Sequence, residues 1–196
     1  MSRFTDKVTD LVTDYTLHAG RLRRYNTWAV HHEQTVGEHC WQVARIYEAI
    51  FGPASGAVER FIRHHDTAEL IVGDPPFPIK KDNPDLKEIY NRLEAEAVPV
   101  LGIQGFDNIP VTEKEKVKIC DLIEMMEFGM VEVEMGNRLA VRIVTRTLTA
   151  ALKMAHELLD NSDLENVKAY INNQKSRHAA VFLAADDYRG EMEKPE

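Results

Sequence analysis

Apolar residues recur at intervals of three and four positions along most of this 196-residue chain. This spacing places apolar side chains on one face of an α-helix, and we find neither the alternation nor the hairpin turns that favour a β-sheet. The β-branched pieces GMVEVEM and AVRIVT could form strands, but no turn signal supports them. We therefore predict an all-α fold, with a single compact domain over residues 1–186 and a frayed tail over residues 187–196.

Local signals predict where several helices begin and end. Thr35 and Glu38 have the spacing of a capping box, so a helix should begin there and continue to about Phe51. Thr112 and Glu115 have the same spacing and predict a helix through Phe128. Further helices are expected at about residues 4–20, 57–73, 84–98, 138–159 and 163–184.

Composition excludes several classes of protein. The formal net charge is −8, whereas proteins that bind nucleic acid usually carry a basic excess, so we expect no nucleic-acid partner. The chain shows no signal peptide and no apolar run long enough to span a bilayer, so we expect no membrane association. The two cysteines, Cys40 and Cys120, lie far apart in no CxxC pattern, which favours a reducing, cytoplasmic location.

The segment RFIRHHDTAEL, residues 60–70, concentrates imidazole and carboxylate groups within an apolar stretch. In a continuous helix, His65 and Glu69 would lie four positions apart on one face. His65 and Asp66 would diverge by about 100° around the axis, yet they could bind one ion located between them. His64 would point further round and would be a poorer ligand, so a surface or packing role is favoured for that residue.

Two more residues could complete a metal site. His39 lies in GEHCWQVA, near the start of the helix predicted after Thr35. Asp121 lies in VKICDLIEMM, where an unpaired buried carboxylate would be costly. A metal ion would explain Asp121, and so would a salt bridge to an arginine or a position at the surface. Taken alone, Asp121 favours the salt-bridge or surface explanation.

The order His, then His-Asp, then Asp resembles the HD-domain superfamily of metal-dependent phosphohydrolases, which are all-helical. QTVGEHCWQVA is similar to the first-ligand helix of bacterial and phage HD-domain 5'-deoxynucleotidases and of related deoxynucleoside triphosphate hydrolases. HHDTAELIVGDPPFPIK resembles their HD-x-x-E-x-x-x-GD-x-P-x-P-x-K segment. The pair RY at 24–25 stands where these proteins have an arginine and an aromatic residue before the first ligand. The resemblance covers about residues 20–125 and implies a single HD-domain helical bundle.

The resemblance implies that one divalent ion is bound by four residues: His39, His65, Asp66 and Asp121. Two imidazoles and two carboxylates suit Mn²⁺, Co²⁺, Fe²⁺, Zn²⁺ or Mg²⁺ better than a thiolate-seeking metal. The resemblance makes Glu69 a residue that transfers a proton or orients water. It makes Asp74 the candidate acid that protonates the leaving 5'-oxygen, although a plain turn aspartate is the alternative.

Candidate substrate contacts flank these residues. Arg24 and Lys80 could bind phosphate oxygens, and Tyr25 and Trp28 could either line the base pocket or belong to the core. The resemblance implies that Pro76 presses on the sugar and excludes a 2'-hydroxyl. His31 and His32 raise the alternative of a second metal, which HD-domain cyclic-nucleotide phosphodiesterases bind with extra histidines. In those proteins the extra histidines usually lie between the HD pair and the last aspartate. No histidine occurs here between His65 and Asp121, so the resemblance disfavours a second metal.

The leading hypothesis is a 5'-deoxynucleotidase that converts a deoxynucleoside monophosphate to a deoxynucleoside and phosphate. The alternative uses the same site to release triphosphate from a deoxynucleoside triphosphate such as dATP. A third hypothesis is a catalytically silent HD module that binds nucleotides or proteins. We expect the chain to form a homo-oligomer, a dimer or larger, to which the helix at 138–159 could contribute.

Overall fold

The computed structural model describes residues 19–25, 27–73, 83–101, 103 and 106–192. The helix predicted at residues 4–20 lies almost wholly outside these ranges. The proline-rich segment after Gly73 also lies outside them, so the predictions for Asp74, Pro76 and Lys80 fall on residues that the structure does not describe.

The described elements are helices, which confirms the all-α prediction. In chain order they are α1 (Val36–Phe51), α2 (Gly56–His64), α3 (Glu69–Val72), α4 (Pro84–Val100), α5 (Val111–Glu134), a 3₁₀ turn (Arg138–Ala140), α6 (Val141–Leu158), α7 (Asn161–Arg177) and α8 (Ala179–Met192). The described residues contain no strand, only an isolated antiparallel bridge between Arg23 and Thr35. The β-branched pieces belong mainly to α5 and α6, because their apolar side chains pack at helical spacing. Helix α8 includes residues 187–192 of the predicted tail.

Three details of the predicted helices were wrong. The helix predicted at 57–73 is interrupted, since α2 ends at His64 and α3 begins at Glu69 with turns between them. The second capping box is not formed: α5 follows Pro110, and no side chain caps it. The helix predicted at 163–184 is divided at His178 into α7 and α8, and α7 begins earlier, where the Asp160 side chain accepts a hydrogen bond from the backbone N–H of Asp163.

A first compact unit consists of Met1–Ala29, Glu33–Trp41 and Glu59–Asn108. In it, the segment before Arg24 pairs with the residues that begin α1. The backbone N–H of Arg24 donates to the Gln34 carbonyl at 2.9 Å, and that of Gly37 donates to the Gly20 carbonyl at 3.0 Å. These bonds fix the main chain of Arg24 against the start of the helix that carries His39.

Because Gly20 and Gly37 approach each other closely, substitution of Gly37 by alanine is expected to destabilise the fold. A Cβ at Gly37 would lie 2.9 Å from the Gly20 carbonyl oxygen, which is backbone and cannot rotate away. Gly37→Ala should therefore lower the free energy of unfolding by about 2 kcal/mol, although alanine is ordinarily favoured in helices. Thermal and urea unfolding measure this change. Gly56→Ala, at the start of α2 with no atom within 4 Å of its Cβ, is the matched control and should be neutral or stabilising. A stabilised Gly37→Ala protein would contradict the prediction.

The second compact unit consists of Val30–His32, Gln42–Val58 and Ile109–Glu196. Helices α5 and α6 pack closely because Gly129 has no side chain: a Cβ there would lie 3.0 Å from the Val144 Cγ2 atom and 3.1 Å from the Ile143 Cβ atom. The apolar face of α6 is part of the core and includes five buried residues: Val141, Val144, Leu148, Ala151 and Ala155.

A polar network also holds the helices of this second unit together. The Arg45 guanidinium pairs with the Glu127 carboxylate. Glu127 Oε1 accepts hydrogen bonds from the Tyr170 hydroxyl at 2.6 Å and from the Gln174 side-chain amide at 2.7 Å. The paired charges and their extra hydrogen bonds offset the cost of partial burial. In the described part of the chain, no helix is long and apolar enough to cross a membrane.

Candidate metal centre

His39 is positioned by the start of α1. The Thr35 side-chain oxygen accepts a hydrogen bond from the backbone N–H of Glu38 at 3.2 Å, which confirms the predicted cap. The backbone N–H of His39 donates to the Thr35 carbonyl at 2.9 Å, so the imidazole projects from the first turn of the helix. The His39 side chain is fully buried.

His65 and Asp66 lie in the turn between α2 and α3, not within a helix. Because the backbone leaves helical geometry here, the two adjacent side chains can both face His39. Nε2 of His39 lies 3.3 Å from Nε2 of His65 and 3.3 Å from Oδ2 of Asp66. Nε2 of His65 lies 3.5 Å from Oδ1 of Asp66. Two imidazoles and a carboxylate therefore converge on one point within the first unit.

The hydrogen bonding of His65 suits a metal ligand. Its Nδ1 lies 2.7 Å from the Ile62 carbonyl oxygen, which can only accept, so Nδ1 carries the hydrogen. In the neutral ring, Nε2 then carries a lone pair directed toward His39 and Asp66. A backbone partner that fixes the tautomer in this way is typical of metal-binding histidines. Ligand nitrogens of His39 and His65 lie within 4.8 Å of one another, so both imidazoles could bind one divalent ion.

Besides facing the two imidazoles, Asp66 forms a salt bridge with Arg24, which the sequence did not predict. Arg24 Nη1 lies 2.6 Å from Asp66 Oδ2, and only 9% of the arginine side chain and 19% of the aspartate side chain are exposed. Burial opposes ionisation of Asp66, but His65, His39 and Arg24 outweigh it and hold the pKa of this carboxyl well below its ordinary value. Asp66 is therefore an anion ready to accept a cation.

Tyr25 adopts a backbone conformation that is rare for its residue type. Its φ angle is +56°, in the left-handed region that costs a residue with a side chain about 1–2 kcal/mol. The Arg24 guanidinium carbon lies 5.7 Å from the centre of the Tyr25 ring, within cation–π range. The half-buried Trp28 donates its backbone N–H to the Tyr25 carbonyl at 2.9 Å, which closes the turn. The structure thus brings Arg24 and Tyr25 beside the cluster.

Two further predicted site residues, Glu69 and Asp121, lie on α3 and α5. Glu69 is the buried first residue of α3, and its backbone N–H donates to the Asp66 carbonyl at 3.0 Å. Asp121 is buried in α5, where the Lys118 ammonium pairs with it, and it belongs to the second unit. Whether Asp121 binds the same ion remains a prediction. His64 lies 3.4 Å from the Thr67 hydroxyl, in keeping with a packing role.

His31 and His32 are held by a carboxylate that sequence reasoning missed. Their backbone N–H groups donate to the side chain of Glu132 at 2.8 Å and 2.7 Å. The His31 ring lies against the Met135 carbonyl at 3.2 Å, and the His32 ring lies 6.3 Å from that of Phe128. Glu132 and Glu134 both stand among apolar residues in GMVEVEM, and no local pattern distinguishes the buried Glu132 from the exposed Glu134.

The fold has close counterparts among solved structures. A cyanophage S-2L HD phosphohydrolase, DatZ, bound to dA and one catalytic Zn²⁺ ion, is 21% identical and aligns with a TM-score of 0.69 over 84% of this chain and 96% of its own. An HD-domain phosphohydrolase from Listeria innocua is 17% identical, with a TM-score of 0.64 over 85% of this chain and 89% of its own. The chain therefore shares the helical fold of these HD-domain proteins.

The chain belongs to the YfbR-like 5'-deoxynucleotidase family, whose model matches residues 15–176. A 5'-deoxynucleotidase of Pasteurella multocida is 28% identical in an alignment of 148 positions, which covers 60% of this chain and 73% of that protein. A 5'-deoxynucleotidase of Vibrio cholerae is 29% identical in an alignment of 92 positions, which covers 41% of this chain and 47% of that protein. The predicted resemblance to this branch of the HD superfamily is confirmed.

Proposed function

We propose that the protein is a metal-dependent 5'-deoxynucleotidase, which hydrolyses a deoxynucleoside 5'-monophosphate to a deoxynucleoside and inorganic phosphate. The observation that carries this proposal is the convergence of His39, His65 and Asp66 beside the Arg24 guanidinium. Family membership and the names of the relatives, all 5'-deoxynucleotidases, support the choice of substrate.

His39, His65 and Asp66 would hold the divalent ion, and Asp121 would be the fourth ligand. An ion held there would supply Lewis-acid chemistry, polarising a phosphoryl oxygen and making water more acidic. The mixed nitrogen and oxygen donors are compatible with Mn²⁺, Co²⁺, Fe²⁺, Zn²⁺ and Mg²⁺. The single catalytic Zn²⁺ of the structurally similar DatZ supports a one-metal site.

The phosphate of the substrate would be bound by Arg24, whose guanidinium can donate two parallel hydrogen bonds to it. Lys80 would contact a further phosphate oxygen. Tyr25 and Trp28 would contact the base, and Pro76 would press on the sugar and leave no room for a 2'-hydroxyl. Deoxyribose would then be preferred to ribose.

Two carboxyl groups would move protons during the reaction. Glu69 would orient the attacking water or accept its proton, which is assistance typically worth about 10²- to 10⁴-fold in rate. The water oxygen forms a bond to phosphorus as the bond from phosphorus to the 5'-oxygen breaks. The leaving 5'-oxygen then takes up a proton, for which Asp74 is the candidate donor.

Release of inorganic phosphate from dAMP tests this proposal directly. The purified protein is given Mn²⁺, Co²⁺, Zn²⁺ or Mg²⁺ in turn, with dAMP, AMP and dATP as separate substrates. We expect phosphate from dAMP with at least one metal and much less from AMP. If dATP yields deoxyadenosine and tripolyphosphate while dAMP is untouched, the substrate assignment is wrong and the triphosphohydrolase alternative is favoured. If no nucleotide is hydrolysed with any metal, the enzymatic proposal itself is contradicted.

A cytoplasmic location and self-association accompany this proposal. Both cysteines are buried thiols that form no disulfide, which is compatible with a reducing compartment. Self-association is supported by an apolar row at the end of α5 and just beyond it, where Val131, Met135 and Leu139 are exposed.

A further inference from the structure

Two phenylalanines lie beside the His/Asp cluster of the first unit and are only half-buried. Phe61 belongs to α2, one turn before His65, and the centres of these two rings are 6.3 Å apart. Phe106 lies in the segment after α4, and its ring meets that of Phe61 edge to face, with the centres 5.2 Å apart. Phenylalanine is among the residue types most often buried completely, so two partly exposed rings next to a polar cluster call for an explanation.

The main chain near both rings is anchored. Leu101 and Ile103 are buried on the approach to Phe106, and the backbone N–H of Ile103 donates to the Val98 carbonyl at 3.2 Å. Ile62, next to Phe61, is fully buried. The two rings therefore form a fixed apolar surface that keeps an accessible face. Such a surface can bind a flat ligand at little cost in ordering, because it is already in place.

The position of this surface beside His65 matches the needs of a nucleotide. Small-molecule sites usually combine aromatic walls with a few polar groups that fix the orientation of the ligand. Here the polar groups are the imidazoles and the carboxylate that would hold the ion, and with it the phosphate. The base is the flat, aromatic part of a nucleotide and is joined to that phosphate through the sugar.

We propose that Phe61 and Phe106 form an aromatic wall of the nucleotide site and that the base of the substrate packs against it. The inference rests on the proposed function for the identity of the substrate. It adds a second aromatic contact to the one proposed for Tyr25, on the His65 side of the cluster. Phenylalanine has no hydrogen-bonding group and every base has a π-face, so the wall accepts all four bases rather than selecting one.

Equilibrium binding of deoxyadenosine tests the wall without any phosphate transfer. Deoxyadenosine is titrated calorimetrically into the Mn²⁺-loaded protein, and inorganic phosphate, below the solubility limit of the metal salt, is titrated separately. Phe61→Leu and Phe106→Leu should each weaken deoxyadenosine binding about tenfold, since stacking of a base on an aromatic side chain contributes about that much. Phosphate binding should stay as in wild type. Unchanged deoxyadenosine binding by either variant, or no deoxyadenosine binding by the wild type, would overturn the proposal.

A purely structural role of Phe61 would give a different pattern. If its ring served only to orient His65, Phe61→Leu would weaken the binding of Mn²⁺ and of phosphate as well, and this result would also overturn the proposal. Phe61→Tyr keeps the aromatic face and should retain deoxyadenosine binding. If Phe61→Leu does not fold, Phe106→Leu decides.

Phe51→Leu is the matched control. Phe51 is a half-buried phenylalanine at the end of α1, and the centre of its ring lies 5.3 Å from that of Tyr47 in the second unit. It therefore loses a similar aromatic contact at a distance from the cluster, and it should bind deoxyadenosine and phosphate as wild type does.

Failure of the aromatic wall and failure of the deoxynucleotidase proposal give different results. Deoxyadenosine carries no phosphate, so its binding can be measured in a protein that hydrolyses no nucleotide. Conversely, a protein that releases phosphate from dAMP while Phe61→Leu and Phe106→Leu bind deoxyadenosine normally would be a deoxynucleotidase without this wall.

Discussion

Asp66→Ala is expected to abolish metal binding and to reduce hydrolysis by at least about 10³-fold. The substitution removes the carboxylate that lies within 3.5 Å of both imidazoles. It also removes the carboxylate that pairs with the Arg24 guanidinium. A Lewis-acid metal is worth several kcal/mol of transition-state stabilisation, and each 1.4 kcal/mol corresponds to about tenfold in rate.

Metal binding should be measured by calorimetry on protein shown to be folded, separately from phosphate release. Asp107→Ala is the matched control, because Asp107 is an exposed aspartate of the same unit and lies outside the cluster. Thermal unfolding of both variants separates loss of the site from loss of the fold. Wild-type hydrolysis by a folded Asp66→Ala protein would refute the proposed metal centre.

Local patterns were sufficient to predict the class of fold and part of the site. Helical spacing of apolar residues depends only on near neighbours, and the Thr35 cap is a contact across three positions. The order of ligands along the chain pointed to His39, His65 and Asp66, which the structure brings together. For Asp121, the sequence left a metal and an ion pair as alternatives, and its pairing with Lys118 does not decide between them.

The interruption between α2 and α3 could not be predicted, because RHHDTAEL contains neither glycine nor proline. A continuous helix would have separated His65 and Asp66 by about 100° around the axis. The observed turn lets these neighbours converge. Such a departure from local propensity is characteristic of functional sites, where tertiary contacts override the preference of the segment.

Contacts between residues distant in sequence account for the other omissions. Arg24 was assigned to the substrate phosphate, but in the structure it pairs with Asp66, 42 positions away. The contact between Gly20 and Gly37 and the left-handed backbone of Tyr25 also have no local signature. All three concern the segment that precedes α1, whose conformation is set by pairing rather than by propensity.

Glu132→Ala is expected to lower the free energy of unfolding by about 3 kcal/mol, although Glu132 belongs to no proposed catalytic group. Its buried carboxylate accepts hydrogen bonds from the backbone N–H groups of His31 and His32 and from the Asn137 side-chain amide at 2.7 Å. Alanine would leave these donors without the carboxylate, and a buried donor left unsatisfied costs about 1–3 kcal/mol. Urea unfolding at neutral pH measures the loss, and Glu48→Ala, at an exposed glutamate of α1 in the same unit, is the matched control.

The dependence on pH distinguishes a bonded carboxylate from simple packing. Burial opposes ionisation of Glu132, but the bonds from Asn137, His31 and His32 outweigh it and lower its pKa below the ordinary value of 4.5. The stabilisation that this anion provides is therefore complete above pH 4.5 and is lost as the pH falls through the lowered pKa of the folded protein. The difference in unfolding free energy between wild type and Glu132→Ala should narrow on acidification below that pH. A difference that stays constant would mean that Glu132 acts through its volume alone.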